Sequence, residues 1–324
     1  MAQAADEAGL EAIWVSEAWG QDVVSVLAVL ADRTERIGIG SGLMQIPARR
    51  PTAAAMAAVT LDVISEGRMR LGLGVSGPQV SEGWYGVPFQ HSLGRIREYT
   101  EIVRMAWARE PVVHQGREFQ IPTEEGMGLG KPLKLMAKPV QERLPIYLGA
   151  IGPKSVELCG EIADGWIPAF FDPDDGAGLN EALNRGLERA GRDRGEIDVA
   201  PTVPIAVDED LDEARNALRP LISFYLGGMG AKDKNFYVDL LAANGLADEA
   251  HEVQDKFLGG DRIGAAMALS ADVIDMCGIA CRPAELESRL ARFADAGADS
   301  VIAIVFGKDR EKTIERLGSL LGGN

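Results

Sequence analysis

Residues that build metal centres and disulfide frameworks are scarce in this chain of 324 residues. Its three cysteines, Cys159, Cys277 and Cys281, are too few and too odd in number for a disulfide framework. Cys277 and Cys281 lie close together, but no second Cys/His pair completes a four-ligand set. His91, His114 and His251 are scattered, so no metal site is expected, and no local motif implies a Ser/His/Asp set. Basic residues are also in the minority: 33 Lys and Arg stand against 49 Asp and Glu, a net charge of -16. So acidic a surface repels phosphate backbones and anionic lipid, which argues against nucleic acid or membrane as partner. No charged segment followed by an apolar run opens the chain, and no apolar run approaches membrane-spanning length. The expected setting is the cytoplasm and the expected partner a small-molecule substrate.

What is present is a rhythm. Short apolar runs at 11–16, 37–42, 70–75, 145–150, 165–168, 199–207 and 300–306 alternate with stretches of helical periodicity. The helical stretches run over 2–8, 23–33, 52–65, 93–108, 153–163, 179–190, 211–225, 282–296 and 311–321. Pro51 stands at one helix entrance, where its missing N–H costs nothing, and Gly67 follows that helix as a stop. Strand–helix alternation of this kind implies a parallel sheet with helices outside. The fold class read from it is α/β, a (β/α)8 TIM barrel forming one domain over 1–324. Excursions interrupt it at about 111–138 and 226–280. A doubly wound sheet is the alternative, but its dinucleotide fingerprint after the first strand is absent. The count gives seven strands rather than eight, and the sequence begins inside a helix pattern. An open seam would expose two strand edges, so a first strand missing from a shortened sequence is the expectation.

Active sites of such barrels lie at the carboxyl ends of the strands. After the first run comes Ser16-Glu17-Ala18-Trp19-Gly20. A carboxylate and an indole there orient a planar ring, or else form a helix N-cap region beside a buried Trp. After the second comes Gly40-Ser41-Gly42-Leu43-Met44-Gln45, followed by Arg49 and Arg50 before a helix start. The glycines allow close approach to a ligand and the arginines offer an anion position, unless this is a tight connection with exposed arginines. Gly74-Val75-Ser76-Gly77 follows the third, with Gln79 and Trp84 beyond it. Gly149-Ala150-Ile151-Gly152-Pro153-Lys154 follows the fourth. Free N–H groups, a helix dipole and one lysine make the last a phosphate cradle or an ordinary capped helix start.

Taken together, four stretches resemble the luciferase-like superfamily: 14–20, 44–49, 71–86 and 148–154. The similarity is closest to the coenzyme F420-dependent oxidoreductases related to methylene-tetrahydromethanopterin reductase. It implies a bacterial-luciferase-like barrel with insertions, commonly a homodimer, holding the deazaflavin at the carboxyl ends of the strands. It further implies a non-prolyl cis peptide at Gly42-Leu43, with Ser41-Gly42 the alternative, a bulge behind the ring. Glu17 matches an acidic position near the ring, and Gly149 to Lys154 would meet the coenzyme phosphate. The site expected on this basis has Glu17 and Trp19 as catalytic residues, Glu17 as a hydrogen-bonding orienter or proton relay. Its cofactor contacts are Gly42, Leu43, Met44, Gln45, Gly74, Ser76, Gly77, Ala150, Ile151, Gly152, Pro153 and Lys154.

The chain also departs from that pattern. Members that oxidise sugar phosphates or secondary alcohols carry a histidine just after the acidic residue, where this chain has Ala18. They carry a glutamate in the loop that here reads Ser76-Gly77-Pro78. Without that acid–base pair, the resemblance points to hydride transfer at a C=N or C=C bond. The alternatives are an FMN-dependent luciferase-like monooxygenase and a non-catalytic or degenerate barrel.

Overall fold

The computed structural model describes residues 1–173 and 177–321. The strands, in chain order, are β1 (Ala12–Val15), β2 (Gly38–Ser41), β3 (Met44–Gln45) and β4 (Met69–Gly74). A hairpin of β5 (His114–Gln115) and β6 (Gln120–Ile121) follows. Next come β7 (Ile146–Gly149), β8 (Gly165–Ile167), β9 (Asp198–Val199), β10 (Thr202–Val207), β11 (Ile279–Cys281) and β12 (Ile302–Phe306). The wall of the barrel runs β1-β2-β4-β7-β8-β9, all parallel, and continues through β10 to β12. The parallel α/β barrel expected from the alternation is thus the fold, with seven wall strands if β9 and β10 count as one. Pro201, which lacks an N–H, falls at the break between those two.

Helices cover the outside. Val23–Arg33, Pro51–Ile64, Ser92–Trp107 and Pro153–Ile162 bury apolar stripes against the sheet in one continuous core. Leu27, Ile39, Leu61, Leu71, Tyr99 and Ile146 are among its wholly buried members. A smaller cluster inside the barrel holds Tyr147, Ile167 and Ala200, with Trp14, Leu43 and Ile302 packed against it.

The two excursions have structure of their own. Residues 111–138 carry only the short hairpin, which Glu98 ties to the helix Ser92–Trp107 by accepting from the N–H groups of Arg117, Glu118 and Phe119. The second holds helices Phe236–Ala243, Ala247–Leu258, Arg262–Met267 and Ala271–Cys277, packed on the helix Leu211–Gly228. That last helix continues through Gly227 and Gly228, where the sequence had suggested a break. A side chain at Gly227 would overlap the Phe257 ring, so glycine there serves helix packing rather than helix ending. Among the described residues no helix is long and apolar enough to cross a membrane.

Candidate active site at the carboxyl ends of the strands

Four strand ends meet in one mouth. Between β2 and β3 the wall bulges: Gly40 pairs with Arg70 and Met44 with Leu73, so four steps on one strand oppose three on the other. The Gly42-Leu43 peptide within this bulge is cis, as the resemblance implied. The Ser41 hydroxyl bridges the gap, donating to the Gly72 carbonyl at 2.8 Å and accepting from its N–H at 3.0 Å. Leu43 is half-buried and lies across the ends of two neighbouring strands. A Cβ at Gly72 or Gly74 would stand 3.0 Å from its methyl carbons, and one at Gly149 would overlap them. Trp14 similarly fills the space over Gly40 and Gly42. At Gly40, Gly42, Gly74 and Gly149 the space that a Cβ would need is taken by the side chains of Trp14 and Leu43.

Beside the bulge, Glu17 is buried and spends both carboxylate oxygens on neighbours. Arg49 grips it with two hydrogen bonds of 2.7 Å, the fork geometry that makes guanidinium–carboxylate pairs strong. The Gln45 N–H donates to Glu17 at 3.0 Å and the Val23 N–H at 3.4 Å. Arg49 also meets Asp22 at 2.6 Å, and Asp22 caps the helix Val23–Arg33 through the Ser25 N–H. Tyr99 donates to the Arg49 carbonyl at 3.2 Å. Arg49, read from sequence as an anion position, therefore has its charge answered by two carboxylates, whose contacts hold its pKa up. The sequence missed this pairing because nothing in the spacing of Glu17 and Arg49 announces it.

Gln45 itself is buried, and its side-chain Oε1 has no hydrogen-bond partner. A buried carboxamide oxygen left unpaired costs about 1–3 kcal/mol, so such atoms call for an explanation. Met44 beside it is wholly buried and serves packing.

Past β4, Ser76 takes a left-handed backbone (φ 64°) that non-glycine residues seldom adopt outside turns and functional loops. Gly77 then opens the helix Pro78–Gly83. Past β7, the Ala150 carbonyl is held by the Trp166 indole N–H at 2.9 Å, fixing the start of the next loop. Ile151 is half-buried, Gly152 caps the helix Pro153–Ile162, and Lys154 lies exposed in its first turn. No ion pair engages Lys154 among the described residues, whereas Ser155 turns its hydroxyl back onto the Gly152 carbonyl at 2.7 Å.

An aromatic wall completes the rim. Trp19 is 41% exposed and its ring lies 6.1 Å from Phe224, which in turn approaches Phe257. Phe170, which follows β8 with a left-handed backbone of its own, packs on Tyr225 and Tyr237. Tyr85 reaches toward the Glu17–Arg49 pair; burial and the nearby Glu17 carboxylate push its phenol up. Of these rim residues, Trp19 was singled out from sequence; Phe224, Phe170, Tyr225 and Tyr237 were not. The Phe170-Phe171 pair just beyond a strand end was the available signal.

A strand-end bulge, four loops converging on one mouth and a helix start open to an anion are what the sequence resemblance led one to look for. The model of the luciferase-like monooxygenase family matches residues 1–300. The chain belongs to that family. A Mycobacterium tuberculosis relative, named as a candidate coenzyme F420-dependent oxidoreductase, is 43% identical over 277 residues, 84% of this chain and 80% of its own. The 5,10-methylenetetrahydromethanopterin reductase of Archaeoglobus fulgidus is 30% identical over 97% of this chain and 91% of its own. Among solved structures, the coenzyme F420-dependent tetrahydromethanopterin reductase of Methanopyrus kandleri superposes with a TM-score of 0.85. Identity there is 26%, over 98% of this chain and 91% of that one. Within this luciferase-like family, the Glu17–Arg49 fork and the unpaired Gln45 oxygen are the features of this chain that its geometry brings forward.

Proposed function

We propose that the chain is a coenzyme F420-dependent oxidoreductase that moves a hydride between the deazaflavin and an organic substrate at a C=N or C=C bond. One observation carries the reading: the buried, unpaired Oε1 of Gln45 beside the Gly42-Leu43 bulge, at the mouth where four strand ends meet. An acceptor without a protein donor suits a planar heterocycle bearing N–H groups. The relatives named for the same coenzyme support it.

When bound, the deazaflavin supplies or takes up the hydride, and the protein contributes position and dryness. Leu43, half-buried on the bulge, offers the ring an apolar support. Gln45 accepts a hydrogen bond from the ring, and Glu17 with Arg49 holds the Gln45 backbone in place. Ser76 and Gly77, which follow β4 at the same mouth, would help hold the ring. The free backbone N–H of Lys154, its ammonium and the start of the helix Pro153–Ile162 take the phosphate. Trp19 and Phe224 form a flat wall that expels water from the substrate side. Ala18 and Ser76 give the mouth no histidine–glutamate pair for alcohol oxidation, which favours C=N or C=C substrates. A homodimer is part of the same reading, since the outward side of the helix Pro51–Ile64 carries exposed Met56, Val63 and Ile64.

Titration of the purified protein with oxidised F420, followed by absorbance and fluorescence, tests the reading. Saturable binding, and reduction of a cyclic imine or a conjugated enone in preference to oxidation of a sugar phosphate or secondary alcohol, is expected. Binding of FMN but not of F420 would make the protein a flavin monooxygenase instead, and binding of neither a non-catalytic barrel.

A further inference from the structure

The mouth has a roof, supplied by the second excursion. Residues 224–237, from the end of the helix Leu211–Gly228 to the start of the helix Phe236–Ala243, are fastened to three strand ends. Beyond β1, the Trp19 ring meets Phe224 at 6.1 Å. Beyond β4, the Gln79 amide donates to the Lys234 carbonyl at 3.5 Å. Beyond β8, the Phe170 ring packs on Tyr225 and Tyr237 at 5.2 and 5.5 Å. Since β2, β4 and β7 stand between β1 and β8 in the wall, this chain of rings spans the opening from one side to the other.

Apolar rings across an opening exclude water, but two of these rings carry hydroxyls. Tyr225 and Tyr237 stand 4.8 Å apart, edge to face, and both are half-buried. Buried phenols ordinarily find a partner, as Tyr99 and Tyr147 do elsewhere in this chain. Neither the Tyr225 nor the Tyr237 hydroxyl has one among the described residues. Burial pushes both phenols up; Tyr237 also feels Tyr225, and no charged side chain acts on either. One buried amide sets their spacing. The Asn235 Nδ2 donates to the Tyr225 and Leu226 carbonyls at 3.4 and 2.6 Å, and its Oδ1 accepts from the Tyr237 and Val238 N–H groups at 2.9 and 3.4 Å. A Cβ at Gly230 would overlap that amide. Two uncharged donors are thus held side by side in the roof with their polar ends unused.

We propose that the Tyr225 and Tyr237 hydroxyls bind the carbonyl oxygen of the substrate, and that this substrate is a flat α,β-unsaturated ketone with an apolar or aromatic body. The inference rests on the coenzyme reading above and narrows its C=N or C=C alternative to C=C. Two O–H donors match the two lone pairs of one carbonyl oxygen, whereas an iminium nitrogen has none to offer. A pair without a cation suits a neutral oxygen rather than a carboxylate or phosphate. The body of the ketone lies along Trp19 and Phe224. The phenols reach the mouth from the β8 side, three strands round from the Gly42-Leu43 bulge, so an oxygen held there leaves the conjugated alkene toward the coenzyme ring. Hydride from the reduced coenzyme forms the new C–H bond at the β carbon. The alkene π pair moves into the bond between the α and carbonyl carbons, and the C=O π pair moves onto oxygen, where the two donors stabilise the growing charge. One phenol passes its proton to that oxygen and is reprotonated by water; the enol then becomes the saturated ketone as its proton shifts, through water, to the α carbon. With the ring proton of the oxidised coenzyme released to water, the sum is one hydride and one proton added across C=C.

The test uses the full chain with para-methoxybenzylideneacetone, an aryl enone whose absorption band moves to longer wavelength when its oxygen accepts hydrogen bonds. Its control is trans-anethole, of similar shape but without the carbonyl. Difference absorbance with and without F420 reads binding apart from turnover. Saturable, red-shifted binding of the enone is expected. Tyr225→Phe and Tyr237→Phe should each weaken it about fivefold, the scale of one neutral hydrogen bond, and the double variant should lose the red shift. Melting temperature, F420 affinity and anethole affinity should stay as in the parent, because the hydroxyls have no structural partner. With reduced F420 the product should be the saturated ketone, with kcat lowered roughly tenfold or more in the double variant. Binding without a red shift, a red shift that survives in the double variant, equal weakening of anethole, or the allylic alcohol as product would overturn the proposal. If F420 fails to bind while the red shift and its loss in the double variant persist, the coenzyme reading falls and the oxygen site is upheld.

Discussion

The Glu17 carboxylate and the Arg49 guanidinium face each other through two hydrogen bonds of 2.7 Å, with the Glu17 side chain only 4% exposed. Of all the contacts at the mouth this one ties the most backbone together. Through Glu17 it reaches the N–H groups of Gln45 and Val23, and through Arg49 it reaches Asp22 and the Tyr99 hydroxyl. The loop after β1, the bulge after β2 and the capped helix between them are fastened at one point. On the proposed reading, Glu17 acts through Gln45, as a positioning residue.

Replacing one partner of a buried pair leaves the other charge unanswered, commonly at about 3–5 kcal/mol. Glu17→Gln keeps one acceptor and Asp22 remains for Arg49, so a loss of about 2 kcal/mol in urea unfolding is expected. A purely structural role would stop there. Positioning predicts in addition that Glu17→Gln lowers F420 affinity, and that this loss largely vanishes when Gln45 has already been changed to Leu. Additive losses in that cycle would remove Glu17 from the cofactor argument.

Lys154 offers the opposite profile. It is exposed and enters no ion pair among the described residues, so Lys154→Ala should leave the melting temperature of the free protein unchanged. Its F420 affinity should fall roughly tenfold, with a shallower dependence on salt, as for one lost ion contact. Unchanged affinity at low salt would place the phosphate elsewhere.

Much of the fold was legible because the barrel is written in local periodicity. The helix at 23–33 matches the periodicity residue for residue, and the strands around Leu71 and Ile146 begin one residue from where apolar runs place them. The bulge was legible only through resemblance; Gly42-Leu43 carries no local signal for a cis bond. What escaped depends on partners distant in sequence. That Leu43 fills the space beside Gly74 and Gly149 could not be read from their spacing. The helix expected over 211–225 runs on through Gly227 and Gly228, which pack on Phe257 of another helix. Trp19 was legible as a rim residue, but Phe224, its neighbour across the mouth, lies some two hundred positions away.

Asp198 gives a pH prediction. Burial raises its carboxyl above the ordinary range, against the opposing effect of the Ser300 and Tyr147 hydroxyls. A raised acid favours folding when protonated, so its contribution is fully present below the unfolded-state pKa and is lost as pH rises through the folded one. At neutral pH the charged Asp198 is therefore a burden. Asp198→Asn should be more stable than the parent at pH 7, and the difference should shrink as pH falls toward the ordinary carboxylate range. Urea midpoints across pH check this; an advantage that persisted at the acid end would contradict it.

The outward side of the helix Pro51–Ile64 predicts association. Its exposed positions Ala53, Met56, Thr60, Val63 and Ile64 include no charge in a chain that carries -16 overall. A face without charge lets two acidic copies approach where most of the surface would repel. Met56→Glu combined with Val63→Glu should shift the protein from dimer to monomer in sedimentation at micromolar concentration, with the circular dichroism spectrum retained. A parent protein that sediments as a monomer would refute the interface.

Gln45 separates stability from binding most cleanly. Its Oε1 is buried without a partner, whereas its backbone N–H is already satisfied by Glu17. Gln45→Leu preserves approximate volume and the backbone contact while removing the orphaned amide. Burying an unpaired amide costs about 1–3 kcal/mol, so the variant should match or exceed the parent in stability when no cofactor is bound. Yet if the oxygen accepts a hydrogen bond from the deazaflavin, the same change should weaken F420 binding by about 1 kcal/mol, several-fold in Kd. Opposite signs from one substitution are hard to obtain from a general packing defect, which would lower both. Urea denaturation of the free protein and a fluorescence titration with F420 give the two numbers. A variant that is more stable and binds F420 as well as the parent would show that the Gln45 oxygen is a cost the fold carries for some other reason.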